Sequence, residues 1–305
     1  MTRYLVTGVS GLLGLNFALA VDGKKHHITG VANTLPMTWA SFENVQVELT
    51  APGAVETMLE THKPEVVLHC AAMANVDACE NAPEQAQLVN AELPGLLADA
   101  CGKRSIRMVH ISTDAVFNGQ KGDYTEQDVP NPLGVYARTK LGGEQAVLQA
   151  NPQALVARVN FYGWSATGKR SLAEAFVHTL EAGKQMMGFT DIHFCPMNVL
   201  DLAATLQEAV ELDLQGLYHM VGAQPMSKYA FGLRIAEKFG FDPVLIKPVS
   251  VKESGLQAVR SPNLTLSTSK LRHALGHDLP AFETGLQKLY DQYRRGYPQF
   301  IQTLV

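Results

Sequence analysis

The segment Thr7-Gly8-Val9-Ser10-Gly11-Leu12-Leu13-Gly14 sets three glycines at G-x-x-G-x-x-G spacing, directly after a short β-prone run and at the head of a helical apolar pattern that continues to Val21. No other stretch restricts the fold as much. A strand that turns through glycines into a helix gathers backbone N–H groups and the positive helix end at one point, an arrangement that receives a pyrophosphate. A tight turn with close helix packing would use the same glycines, but their place after the first strand favours dinucleotide binding. Gly8, Ser10, Gly11, Leu12, Leu13 and Gly14 are the first expected cofactor contacts.

The unit then repeats. Apolar runs at 27–31, 45–49, 66–70, 108–112 and 155–159 alternate with helical stretches at 54–62, 84–101 and around Tyr136. The runs lack an in/out polar alternation, so each strand is expected to be covered on both faces, as in a parallel sheet between two helical layers. The predicted fold is α/β, a Rossmann-type doubly wound parallel sheet. Pro94 is expected to kink or split its helix. After Val159 the rhythm loosens: 164–170 reads as a loop, 172–182 as a helix that Ser171 can cap, 199–211 as a helix and 216–221 as one more buried strand. From Ser227 the pattern is mainly helical, over 227–239, 267–275 and 281–295, with Pro243, Pro248, Pro262 and Pro280 between. The expected organisation is a dinucleotide-binding domain over 1–160, to which 190–222 returns, and a smaller, mainly helical substrate-binding region of 161–189 and 223–305.

Composition closes off other classes. With 305 residues, 46% hydrophobic, the chain can bury a large core. Charged residues are 18% and the net charge is −4, so no basic face offers itself to nucleic acid. The apolar stretch 12–21 is interrupted by Gly14 and Asn16 and falls short of the roughly 20 residues a membrane span needs. No signal peptide precedes it. Cys70, Cys79, Cys101 and Cys195 are scattered without a C-x-x-C pair, which argues against a zinc knuckle or disulfide framework and for a reduced, cytoplasmic protein.

About 20 residues past such a glycine turn, an NAD site usually offers an acidic side chain to the adenosine ribose. Here the second strand ends Val31-Ala32-Asn33-Thr34. With no carboxylate there to repel a 2′-phosphate, and with Asn33 and Thr34 able to hydrogen-bond it, NADP(H) is expected and NAD(H) allowed. No arginine stands at that point of the sequence to demand NADP(H). Further on, Tyr136 and Lys140 share a helix face at i and i+4. An ammonium beside a phenol stabilises the phenolate and brings its pKa down toward the working range, so the lysine is expected to tune the tyrosine. This spacing alone fits a solvated surface pair. Its weight comes from Val109-His110-Ile111-Ser112-Thr113-Asp114, an apolar strand ending in hydroxyls at the sheet edge where open α/β folds bind ligands. Thr113 is placed to donate to a substrate oxygen while Tyr136 moves the proton; a Ser/Thr/Asp turn or helix cap is the structural alternative.

With these three elements in order, the chain resembles the extended short-chain dehydrogenase/reductases, most closely the dTDP-4-dehydrorhamnose reductase-like group of sugar-nucleotide reductases. The resemblance runs nearly end to end. It is carried by the glycine turn, Cys70-Ala71-Ala72, Val76-Asp77-Ala78-Cys79-Glu80, Val89-Asn90-Ala91-Glu92, Ile111 to Phe117, Tyr136 to Glu144, and Arg260-Ser261-Pro262-Asn263-Leu264-Thr265-Leu266 with Ser269-Lys270-Leu271. It implies that Thr113, Tyr136 and Lys140 are catalytic, with Lys140 also holding the nicotinamide ribose. Cys70, Ala71, Ala72 and Asn90 would line the cofactor, and Glu48 and Leu49 would lie near the adenine. Met73, Thr113, Asp114, Asn160 and Arg260 would face substrate. The implied reaction is hydride transfer from NADPH to C4 of a 4-keto-6-deoxyhexose carried on a nucleoside diphosphate, without a metal. The implied partner is the nucleotide-sugar, and a homodimer is allowed.

Ala115 stands where the group usually has tyrosine, Met73 where tyrosine or histidine is common, and Ala137 where glycine follows the catalytic tyrosine; the sugar is left open. Two other functions share the motifs: an epimerase or dehydratase that retains NAD(H), and a cofactor-binding regulatory subunit without turnover. Among the remaining residues, His273 and His277 are explained by a helix ending at a Gly276 turn rather than by a metal. His69 and His110 read as satisfied core histidines and Cys70 as a small core hydrophobe.

Overall fold

The computed structural model describes residues 1–23, 26–35, 37, 38, 40–253 and 261–305. Seven strands form one sheet: β1 (Thr2–Thr7), β2 (His26–Ala32), β3 (Glu43–Gln46), β4 (Val66–His69), β5 (Arg107–Thr113), β6 (Leu155–Val159) and β7 (Gly216–Met220). Their order is β7-β6-β5-β4-β1-β2-β3, and every neighbouring pair is parallel. Tyr4 on β1 faces Ile28 on one side and Val66 on the other. The chain leaves β1 toward β2 and β3, then returns to the other side at β4. That reversal opens a crevice beyond the carboxyl ends of β1 and β4, where a doubly wound sheet binds its ligand.

The doubled apolar character of the strands has a direct cause. Tyr4, Val6, Leu68, Val109 and Ala157 enter a core with the helices Leu12–Val21 and Val199–Glu211, while Leu5, Val67, Met108 and Val156 enter a second core with the helices Ala54–His62 and Leu93–Lys103. Successive side chains point to opposite faces of a strand, so each strand feeds both layers. Leu5, Val67, Met108 and Val156 are completely buried, each worth on the order of 1.5–3 kcal/mol of transfer free energy.

The helices at 54–62 and 199–211 and the strand at 155–159 form with the predicted bounds. Ser171 caps the helix Leu172–Glu181 in a capping box with Glu174. Around Pro94 the outcome is more specific than a kink. The helix Pro83–Gln87 widens into a π-turn over Leu88–Glu92 and tightens again at Leu93. Proline lacks the N–H that would bond the carbonyl four residues back, which here is Asn90. That carbonyl instead lies against Gly143 of the helix Val135–Ala150, where a Cβ would run into it. Glycine at 143 thus lets the Tyr136 helix approach this segment closely.

Three two-stranded ribbons were not anticipated: Phe161–Tyr162 with Met197–Asn198, His193–Phe194 with Met226–Ser227, and Met186–Phe189 with Ile246–Val249. Strands this short carry no readable period, and Pro248 argued against the last one. A ribbon of two strands leaves each an open edge, the setting in which proline is tolerated.

Candidate active site

The glycine turn bends as its spacing requires. Gly8 has φ +66°, and a Cβ there would sit 2.7 Å from the Ala71 nitrogen, so the turn is pressed against the chain leaving β4. Gly11 N donates to the Gly8 carbonyl at 2.9 Å, and Gly14 packs beneath against the same carbonyl. The ten-residue helix that follows begins at Gly11 with no side-chain cap, leaving its first N–H groups open toward the crevice. Thr7 on β1 and His69 on β4 are joined at 2.7 Å, and Ala71 N donates to the Thr7 hydroxyl at 3.3 Å, which fixes the mouth between the two strands.

Above this turn lies a cleft of about 390 Å³. It is lined by Gly8, Ser10 and Gly11, by Asn33 and Thr34 after β2, by Glu48 and Leu49 after β3, by Cys70 to Met73 after β4, and by Arg170. Glu48 accepts from Asn33 Nδ2 and from the Thr50 hydroxyl, each at 2.6 Å, and those bonds, the Thr50 one foremost, hold its carboxyl below the usual range. The uncapped helix end, the cradle that a Cβ at position 8 would fill and the cleft running to Glu48 fit a dinucleotide.

On the other side of the crevice, β5 ends at Thr113 and the chain turns through Asp114–Val116. Thr113 takes the structural role considered for it, the cap of the turn. Its hydroxyl oxygen accepts from Ala115 N at 3.2 Å, capping that turn, its hydroxyl donates to Asp114 Oδ1 at 3.2 Å, and it lies near enough to the Tyr136 phenol to pull that group's pKa down. Asn160, just past β6, donates to the Asp114 carboxylate at 2.6 Å. Burial pushes the Asp114 carboxyl up to about 6, partly offset by Asn160 and Thr113.

The expected tuning of Tyr136 runs in the opposite direction. Burial pushes the phenol up to about 12; the Thr113 side chain pulls it down only in part, and the Asp114 charge adds to the rise. Lys140 is buried and donates to the Ile111 carbonyl at 2.6 Å, a backbone acceptor on β5. Burial brings its ammonium down to about 8 against the opposing pull of Glu144. The i,i+4 spacing gives the two side chains one helix face, but the strand beneath competes for the ammonium.

The Tyr136 helix is pinned from below. Glu144 receives Arg158 from β6 through Nε at 2.9 Å and Nη2 at 2.7 Å, and Ser112 from β5 at 2.5 Å, all out of solvent. The Arg158 guanidinium lies 4.9 Å from the Phe117 ring centre. At the helix start, Glu80 accepts from Val135 N at 2.6 Å. Beside Lys140, His69 and His110 stack with ring centres 5.4 Å apart, fully buried. Burial keeps both uncharged, His69 falling to about 3. They are core histidines, but only His69 Nδ1 has a partner among the described residues; His69 Nε2 and both nitrogens of His110 have none.

The cleft thus gathers ten of the predicted site residues, Gly8, Ser10, Gly11, Asn33, Glu48, Leu49 and Cys70 to Met73, while Tyr136 lines the neighbouring cavity. Leu12 and Leu13 instead face the core, and Asn90 is wholly buried. Asn90 clamps Met73, accepting from its N–H at 2.8 Å and donating to its carbonyl at 3.0 Å, so it shapes the cleft from behind. Met73 itself lies in the dinucleotide cleft. Cys70 lines it too, with a thiol that burial pushes up to about 12. Arg260 lies outside the described residues. A second, mainly apolar cavity of about 620 Å³ adjoins Tyr136, bounded by Val76, Ala115, Leu133, Ser261 and Leu264. Ser261 and Leu264 belong to the motif that begins at Arg260. Arg170 had no local signal, because it reaches the site only through tertiary packing; Glu80 stands in the Val76 to Glu80 motif, which assigned it no role. His277, set aside as a ligand, bonds Glu208 at 2.8 Å. Among the described residues no cluster of His, Cys, Asp or Glu is arranged for a metal, and no helix is long and apolar enough to cross a membrane.

A doubly wound parallel sheet with this glycine turn, and with Tyr136 and Lys140 on the helix beside Thr113, is that of an extended short-chain dehydrogenase/reductase. More narrowly, the chain belongs to the family described as RmlD substrate binding domain, which matches residues 2–295. It is 34% identical to a probable low-salt glycan biosynthesis reductase of Haloferax volcanii, over 93% of this chain and 96% of that one. It is 31% identical to methionine adenosyltransferase 2 subunit beta of Mus musculus, over 94% and 86%. The solved structure of a dTDP-4-dehydrorhamnose reductase from Clostridium acetobutylicum superposes with a TM-score of 0.85 at 26% identity, covering 96% of this chain and 99% of that one.

Proposed function

We propose that the protein is an NAD(P)H-dependent reductase of a nucleotide-linked 4-keto-6-deoxy sugar, similar to dTDP-4-dehydrorhamnose reductase. The observation that carries this reading is Tyr136 lining the apolar cavity, with Thr113 near enough to its phenol to oppose the rise that burial imposes, and the glycine turn lining the dinucleotide cleft. Its support among relatives is the family membership and the two reductases named above. Bound reduced nicotinamide supplies the hydride. The chain's own residues do the rest. Tyr136, protonated at neutral pH, gives its proton to the oxygen that becomes the new hydroxyl, and Thr113 donates to the same oxygen. A phenol lifted toward 12 is a weaker acid than a tuned one, yet it is always in the form a reduction needs. Lys140 lies one helical turn from the phenol and holds the nicotinamide ribose.

Residues 1–160 and 190–222 hold the dinucleotide in this reading, and 161–189 with 223–305 hold the sugar nucleotide. Val76, Ala115 and Leu133 offer the apolar wall that a deoxygenated ring face fits. A cytoplasmic homodimer belongs to the same proposal, its association read by sedimentation at several concentrations. The purified protein should oxidise NADPH when given dTDP-4-dehydrorhamnose; no absorbance change with any nucleotide-linked 4-keto sugar would refute turnover. The relative named as an adenosyltransferase subunit favours a second reading, a cofactor-binding subunit that serves a partner enzyme. Cofactor binding without turnover, together with a stoichiometric co-purifying partner, would select it.

A further inference from the structure

The sequence has no arginine at the end of β2, where NADP(H) sites place the cation that meets the 2′-phosphate. The fold brings one to the same cleft from elsewhere: Arg170, at the end of the loop after β6, lines it together with Asn33, Thr34 and Glu48. We propose that Arg170 recognises the 2′-phosphate of the adenosine ribose and so sets a preference for NADP(H) over NAD(H). This rests on the cofactor site assigned above.

Arg170 is presented by a rigid frame. Its backbone N–H donates to Glu174 Oε2 at 2.9 Å, and the same buried carboxylate receives Ser165 N, the Ser165 hydroxyl and Ser171 N. The loop is docked on the glycine-turn helix through Asn16 Nδ2, which donates to the Trp164 carbonyl at 2.9 Å. Arg170 itself is exposed, and among the described residues no carboxylate is paired with its guanidinium. The local charge makes it decisive. Glu48 contributes an ionised carboxylate to this cleft, already committed to Asn33 and Thr50. Without a cation, a 2′-phosphate would face net negative charge; with Arg170 lining the same cleft, that charge is balanced and a forked donor suited to a phosphate is on hand. The 2′-hydroxyl of NAD(H) draws no such benefit.

The test is equilibrium titration of the full chain with NADPH and with NADH, followed by nicotinamide fluorescence, for the wild type, Arg170→Ala and Arg170→Lys. In Arg170→Ala the NADPH affinity should fall about tenfold to a hundredfold, the size of a lost charge-assisted hydrogen bond. NADH affinity should stay within about twofold, which also certifies the fold, and Arg170→Lys should recover part of the NADPH affinity. An unchanged NADPH affinity, or equal losses for both dinucleotides, would overturn the assignment to the 2′-phosphate. Failure of the wild type to bind either dinucleotide would overturn the cofactor site itself.

Discussion

Replacing Glu144 by alanine tests what holds the Tyr136 helix to the sheet. Glu144 and Arg158 expose 4% and 2% of their side chains and meet through two charge-assisted nitrogens, with Ser112 as a third donor to the carboxylate. Deleting the carboxylate leaves a guanidinium inside the core with His219, at 3.4 Å, and the Phe117 face as partners among the described residues. An uncompensated buried charge costs about 3–5 kcal/mol, against a whole-domain stability of about 5–15 kcal/mol. The midpoint of urea unfolding should fall by the corresponding amount, with an unchanged slope. The pair as a whole should matter much less than either half, because an apolar pair of similar volume avoids the desolvation of both ions. Glu144→Leu combined with Arg158→Met should therefore be more stable than Glu144→Ala alone. A loss under about 1 kcal/mol for Glu144→Ala, or a double variant that unfolds earlier than the single one, would refute this description of the network.

Three further outcomes follow from the same geometry. Gly8→Ala forces a side chain into a left-handed backbone and against Ala71, so NADPH affinity should drop at least tenfold in fluorescence titration while the circular dichroism of the sheet persists. Asp114, raised from 3.8 to about 6, binds more protons in the folded state, so stability should be lost by on the order of 3 kcal/mol as pH rises from about 4 to 6, and Asp114→Asn should flatten that slope in denaturation curves. Lys140, lowered from 10.5 to about 8, binds fewer protons when folded, so a comparable amount should be regained as pH rises from about 8 to 10.5, and Lys140→Met should abolish the gain.

The architecture was legible because every central strand feeds two cores, which erases polar alternation and leaves short, mainly apolar runs such as 66–69 and 155–159, broken only by the buried His69 and Arg158. The glycine turn and the Thr113 and Tyr136 positions were legible for a related reason: each sits at a carboxyl end of a strand or at the start of a helix, where local sequence sets local shape. What escaped the sequence is decided between distant segments. Arg170 reaches the dinucleotide cleft through the Glu174 capping box and the Asn16 tether. The Pro94 segment resolves into a π-turn because its freed carbonyl meets Gly143 on another helix. The Tyr136 shift was misjudged because i,i+4 spacing says nothing of a backbone acceptor on β5 that captures Lys140, nor of how deeply the phenol is buried.

The most direct measurement is stopped-flow absorbance of NADPH oxidation with dTDP-4-dehydrorhamnose, comparing the wild type with Tyr136→Phe. If the phenol delivers the proton, the wild type turns over and the phenylalanine variant loses about 10²–10⁴-fold in rate while binding NADPH as before. Equal rates in the two proteins would contradict Tyr136 as the acid and, with it, the chemistry assigned to this crevice.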